Sequence, residues 1–120
     1  MTPDTLTAAP APSRAEQINR AIAEKIRGWP VFGQPWKHDG TVVVIDDDGA
    51  QSVYDPCHDA GQAFELVERF RLMPSWLAKE NVWSISTSIS WWAKHPDLKT
   101  AICLCVLRMH GVDPEYLEHD

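Results

Sequence analysis

Residues 83–91 read Trp-Ser-Ile-Ser-Thr-Ser-Ile-Ser-Trp, and this run constrains the fold more than any other part of the chain. Ser84, Ser86, Ser88 and Ser90 alternate with Trp83, Ile85, Thr87, Ile89 and Trp91. A period of two belongs to extended backbone, in which successive side chains point to opposite faces. The chain must therefore build a sheet with one large apolar face and one face of hydroxyls. The run is either one long strand or two short strands meeting in a turn near Ser88. Its serine face is either the solvent side of a half-buried strand or the wall of a polar groove.

Helical periodicity surrounds this strand. Ser13 and Glu16 have capping-box spacing, so each side chain can satisfy a free amide at a helix start. Ile18, Ala21, Ile22, Ile26 and Trp29 then recur on one face. Lys25 and Arg27 fall in the last turn, where a cation complements the helix dipole. Gly28 supplies the left-handed residue that ends the helix. Pro30 and Pro35 leave a loop or a short edge strand after it. Residues 41–45, Thr-Val-Val-Val-Ile, form a β-branched run, and Asp46, Asp47, Asp48 and Gly49 carry turn chemistry. Residues 50–54 return as the partner strand of a hairpin.

A second helix follows Asp55-Pro56, with Asp59 as a further candidate cap. Its apolar side holds Ala60, Ala63, Phe64, Val67, Phe70 and Arg71; Glu65, Glu68 and Arg69 lie on the other side. Residues 72–74 close it, which leaves Trp76 in a proline-flanked loop, as Trp36 is. Pro96 and Asp97 open a last helix whose apolar face, Leu98, Ala101, Ile102, Cys105, Val106 and Met109, is widened by Leu104 and Leu107. It is expected to be the most buried of the three. Gly111 and Pro114 end it.

These elements predict an α+β domain, with three helices packed on a small antiparallel sheet as a layered α/β/α sandwich. The expected organisation is a disordered leader at 1–12, rich in Thr, Ala and Pro, one domain over 13–112, and an acidic tail at 113–120. The first residues lack the charged start and apolar core of a secretory signal, and no apolar run approaches a membrane span. Three cysteines in no regular framework read as reduced thiols. The expected location is the cytoplasm.

Three segments resemble a known family: Ile-Asn-Arg-Ala-Ile-Ala-Glu-Lys-Ile-Arg-Gly-Trp at 18–29, residues 54–70, and Thr-Ala-Ile-Cys-Leu-Cys-Val-Leu-Arg-Met-His-Gly at 100–111. Together they are similar to the phage ABA-sandwich domain family of small bacteriophage and prophage proteins. The resemblance covers most of residues 14–111. It departs from the family pattern in the tryptophan-rich region 72–92 and in the Asp-Pro-Cys-His entry to the middle helix. It implies a phage origin and an accessory role, and it transfers no catalytic residue.

Several constellations could carry chemistry. The consecutive acids at 46–48 lack the alternate spacing and distal glutamate of a calcium loop, so they read as a hairpin turn. Cys57 and His58 beside Asp55 and Asp59 are the densest polar group. Zinc there would need His38 or His95, a thiolate would need a positioned base, and the alternative is a capped helix start. Cys103 and Cys105 stand about 200° apart on a helix and cannot share a metal. His95 and His110 flank the last helix, and His110 suits its dipole.

Seventeen acids against eleven bases give a net charge of −6, which disfavours a nucleic-acid polymer as partner. Six tryptophans are the compositional anomaly. Trp29 and Trp83 lie in apolar patterns. Adjacent Trp91 and Trp92 must point to opposite sides of a strand. Trp36, Trp76 and Trp92, with Arg69 and Arg71, are the candidate binding residues.

The expected function is non-enzymatic and needs no cofactor: a phage accessory protein that occludes a host defence protein. An acidic surface suits a basic face on such a partner. The alternative is a sponge for a nucleotide immune signal, using a stacked tryptophan and Arg69, Arg71 or Arg108 in a pocket between the protomers of a homo-oligomer. An enzyme built on Cys57 and His58 ranks last.

Overall fold

The computed structural model describes residues 13–32, 40–88 and 92–113. The expected leader and most of the acidic tail, as well as Trp36, His38 and Trp91, lie outside the described residues. Among the described residues are three α-helices and two three-stranded antiparallel sheets, an α+β fold. The single sheet expected from the sequence is thus divided in two.

Helix α1, Arg14–Ala21, starts where predicted: the Ser13 hydroxyl accepts from the Glu16 amide at 3.1 Å. It runs directly into a π-helical turn, Ile22–Ile26. There the Arg27 amide reaches back five residues to the Ile22 carbonyl at 2.9 Å. A wider turn rotates everything after it. Ile22 and Ala23 are both fully buried, and the Arg27 side chain is swung inward to 7% exposure instead of capping the helix end.

The first sheet has the order β1-β2-β3, with β1 at Val31–Phe32, β2 at Val42–Ile45 and β3 at Gln51–Tyr54. The aspartate turn behaves as its residues require. Asp46 Oδ1 accepts from the Asp48 and Ala50 amides at 3.0 and 3.1 Å, and Gly49 takes a φ of +78°. Val44 pairs with Ser52 and Val42 with Tyr54, so these four side chains share one face.

Helix α2, Ala60–Phe70, is capped by Asp59, whose Oδ1 accepts from the Gln62 amide at 2.9 Å. Its buried residues are Ala63 and Leu66. Phe64, expected on the buried side, is 45% exposed. Leu66, absent from that face, is fully buried. The cause is the helix roll: α2 turns Leu66 toward α3, Leu98–Met109, and leaves the flank carrying Phe64 uncovered. Arg71 ends α2 in the left-handed region at φ +56°.

The second sheet has the order β4-β5-β6, with β4 at Met73–Leu77, β5 at Val82–Ser86 and β6 at Trp92–His95. The alternating run therefore breaks after Ser86, and its first half pairs on both sides. Strand β4 corrects the expectation of a loop around Trp76. Pro74 lacks an amide, which ends helices, but an edge strand tolerates it because one side of its backbone needs no partner. Trp76 pairs with Trp83 in register, the two rings packing edge to face at 5.3 Å.

Helix α3 is the centre of the molecule. Asp97 caps it through the Thr100 amide at 3.0 Å. Ala101, Ile102, Cys103, Cys105, Val106 and Leu107 are all fully buried, which is most of its circumference. It packs on β5 and β6, on α2, and on α1 with its π turn. Among the described residues no helix is long and apolar enough to cross a membrane.

Candidate functional site

The polar group around Cys57 and His58 is a structural joint. Asn19, fully buried on α1, donates from Nδ2 to the Gly40 carbonyl at 2.8 Å and to Asp55 Oδ1 at 2.6 Å. Its Oδ1 accepts from the Cys57 amide at 3.2 Å. Every hydrogen-bonding position of that amide group but one is used, and the group ties α1 to both chain segments that flank the first hairpin. Gly40 sits at φ +93°, where a Cβ would stand 3.2 Å from Ala15 and from the His58 ring. His58 Nδ1 lies 3.0 Å from Asp55 Oδ2, at the surface. Cys57 is buried with its thiol against the Ala15 carbonyl and beside Cys103. The thiol and the imidazole thus face different surroundings, core and solvent.

Cys103 and Cys105 are core thiols, and burial pushes both up, Cys103 well above its ordinary range and Cys105 to about 11. A neutral buried thiol is a poor nucleophile. Among the described residues no three His, Cys, Asp or Glu side chains converge as a metal site. His95 Nδ1 accepts from the Asp97 amide at 3.0 Å, and His110 Nδ1 lies 2.8 Å from the Val106 carbonyl, at the helix end as predicted.

Two other places have the geometry of binding surfaces. The first is the outer face of the second sheet, opposite α3. Register puts Met73, Ser86 and Trp92 in one row across its three strands, and Ser75, Ser84 and Lys94 in the next. Met73 is 48% exposed and Trp92 53%, so this row stands open to solvent. Lys94 Nζ lies 5.5 Å from the Trp92 ring centre and pairs with Glu80 at 2.9 Å. Arg108 of α3 donates to the Trp92 carbonyl at 3.1 Å. Trp76, on the other face with Trp83, extends past the cover that α3 gives β5 and β6, and is 46% exposed. The two candidate tryptophans among the described residues, Trp76 and Trp92, therefore occupy opposite faces of one sheet.

Arg69 and Arg71 stand apart from them. Arg69 is on α2 and pairs with Glu65 at 3.7 Å, and Arg71 is the exposed residue that ends that helix. Lys94 is the cation beside the Trp92 ring, and Arg108 meets the Trp92 backbone from α3. Lys94 stands two residues along β6 from Trp92, and strand alternation puts both on the same face.

The second place is a cleft of about 520 Å³ between the first sheet and α2. Its lining includes Arg27, Trp29, Tyr54, Asp46, Asp59 and Glu65. The Arg27 guanidinium lies 4.3 Å over the Trp29 ring and donates to Glu65 Oε1. Trp29 packs edge to face on Tyr54 at 5.2 Å and donates from Nε1 to Asp47 at 2.8 Å. The Tyr54 hydroxyl is buried beside the Arg27 guanidinium. Burial pushes its pKa up, against the opposing charge of that guanidinium. No family model, curated protein or solved structure matches the chain.

Proposed function

We propose that the chain is a non-enzymatic binding protein that docks a partner protein through the open aromatic row of its second sheet. The supporting observation is the row Met73, Ser86 and Trp92, with large apolar side chains about half exposed on a pleated, hydrogen-bonded platform. Tryptophan and methionine are enriched where proteins meet, and a rigid sheet presents them at little entropic cost. A net charge of −6 favours a partner with a basic face. The resemblance of residues 18–29, 54–70 and 100–111 to phage ABA-sandwich proteins supplies the setting. There the chain acts in the bacterial cytoplasm as a phage accessory protein that occludes a host defence protein.

The test combines capture with function. The chain and its Trp92→Ala variant are each used to capture proteins from lysates of bacteria carrying defence systems, and each is expressed in those hosts during phage challenge. The reading expects the natural chain to restore plaque formation and to retain a component of the defence system. Trp92→Ala is expected to lose both while keeping its melting temperature. Restoration that survives Trp92→Ala and Met73→Ala together would overturn it.

A second reading, sequestration of a nucleotide immune signal, is favoured by Lys94 beside the Trp92 ring. A base stacked on that indole would place its phosphates near that cation. Stabilisation of the chain by one nucleotide from a panel, lost in Trp92→Ala, would select this reading over the first.

A further inference from the structure

Cys57 and Cys103 bring two thiols together from distant parts of the chain. Cys57 lies in the turn between β3 and α2, and Cys103 lies on α3. Their side chains meet inside the core, and both are free thiols. Cys57 is held in place by its surroundings. Its amide donates to Asn19 Oδ1 at 3.2 Å, and its sulfur lies 4.0 Å from the Ala15 carbonyl. Cys103 is fixed by the packing of α3, which encloses it completely. Cys105 is the contrast. It stands about 200° round the helix axis from Cys103 and so faces other neighbours.

The two thiols differ in how they can be reached. Cys103 opens to solvent only if α3, the centre of the fold, comes away. Cys57 sits at the edge of the core, and the next residue, His58, already stands in solvent with its side chain 58% exposed. Local opening of the turn at 55–59 uncovers Cys57 while α3 stays in place. Cys57 is therefore the entry point, and Cys103 waits behind it as the second sulfur.

We propose that Cys57 and Cys103 form a redox switch: a small disulfide of the glutathione class oxidises the pair to an intramolecular disulfide that clamps the turn at 55–59 onto α3. When the turn opens, the Cys57 thiol gives its proton to water. Its sulfur attacks one sulfur of oxidised glutathione, and the S–S bond of the oxidant breaks. A mixed disulfide forms on Cys57, and the first glutathione leaves and takes up a proton. The turn recloses and returns the mixed disulfide to Cys103. Cys103 loses its proton, attacks the Cys57 sulfur and expels the second glutathione, which is protonated in turn. Two thiols have become one disulfide, and one oxidised glutathione has become two thiols. Burial keeps Cys103 protonated most of the time, so closure is slow and answers sustained oxidation. Under a reducing glutathione poise the pair stays open as two thiols. The switch lies away from the docking row on the second sheet and does not depend on it.

The full folded chain is incubated with oxidised glutathione and quenched in acid. Its remaining thiols are then alkylated in denaturant and mapped by mass spectrometry. Two of the three thiols should be lost, with the Cys57 and Cys103 peptides linked and Cys105 still alkylated. The oxidised chain should melt at a higher temperature than the reduced one, because a bond between distant residues restricts the unfolded chain. Dithiothreitol should restore the original melting temperature. Cys105→Ala should close as the natural chain does. Cys103→Ala should stop at the mixed disulfide and retain one glutathione on Cys57. Three free thiols after prolonged exposure, a linkage through Cys105, or a disulfide that forms only in urea would overturn the proposal. So would an oxidised chain that melts no higher than the reduced one, or a Cys103→Ala chain that takes up no glutathione.

Discussion

The side chain of Arg27, only 7% exposed, reaches the carboxylate of Glu65, thirty-eight positions along the chain, whose side chain stays 44% exposed. The pair joins the π turn after α1 to α2. Removing the acid leaves a buried charge with Asp47, at 3.8 Å and largely in solvent, as its remaining acidic partner. Glu65→Gln is expected to cost about 1–3 kcal/mol, below the full value for a buried pair because Glu65 is half in water. Arg27→Met should cost less, since it strands no charge. Urea denaturation of both variants checks the order, which reverses if the pair is unimportant and the Arg27 stem supplies packing alone.

Asn19 holds Gly40, Asp55 and Cys57 together through one side-chain amide. Asn19→Ala leaves a carbonyl, a carboxylate oxygen and an amide short of partners in the interior. The expected loss is about 3 kcal/mol, and Asn19→Asp should be no better because it places a second carboxylate against Asp55. Thermal melts at neutral pH measure this. A loss confined to a few tenths of a kcal/mol would mean that water takes over all three bonds.

Asp97 links stability to acid. Burial alone would raise its carboxyl, but the amide and hydroxyl of Thr100 and the charge of Lys99 outweigh that and hold it below its ordinary value of 3.8. A carboxyl lowered in the folded state contributes stability that is fully present above its unfolded pKa. That contribution fades as pH falls through the lower, folded value. Asp97→Asn keeps the cap and removes the titration. Its melting temperature should therefore fall less steeply than that of the natural chain below about pH 4. Parallel slopes for the two proteins would contradict this.

Arg71 holds a left-handed conformation, φ +56°, that an L residue with a Cβ adopts at a cost. Its amide reaches the Val67 carbonyl and closes α2. Arg71→Gly should relieve the strain and stabilise the chain by about 0.5–1 kcal/mol, less the entropy that glycine adds to the unfolded state. The same variant tests Arg71 as a binding residue. Partner capture that survives it removes Arg71 from the candidates.

Features set by neighbouring residues were legible without the fold. Ser13, Asp59 and Asp97 cap their helices, Gly28, Gly49 and Gly111 take positive φ, and the aspartates at 46–48 turn a hairpin. In each case the chemistry and its partner lie within a few positions, so the pattern of residues carries the whole interaction. The near-complete burial of α3 was legible too, because apolar residues surround most of its axis.

What tertiary structure decided was every relationship made across distance. Pro74 ends a helix and also sits comfortably in an edge strand, and only pairing of 73–77 with 82–86 chose the strand. The division into two sheets, rather than one, is fixed by which distant strands pair, β1-β2-β3 and β4-β5-β6. The inward swing of Arg27 follows from a π turn, a shift of one residue in hydrogen bonding that leaves no mark on apolar spacing. The cleft then joins residues from Arg27 to Glu65. Local sequence determines how each segment is shaped, and long-range packing determines which side chains meet, because burial free energy is collected only when distant segments close on one another.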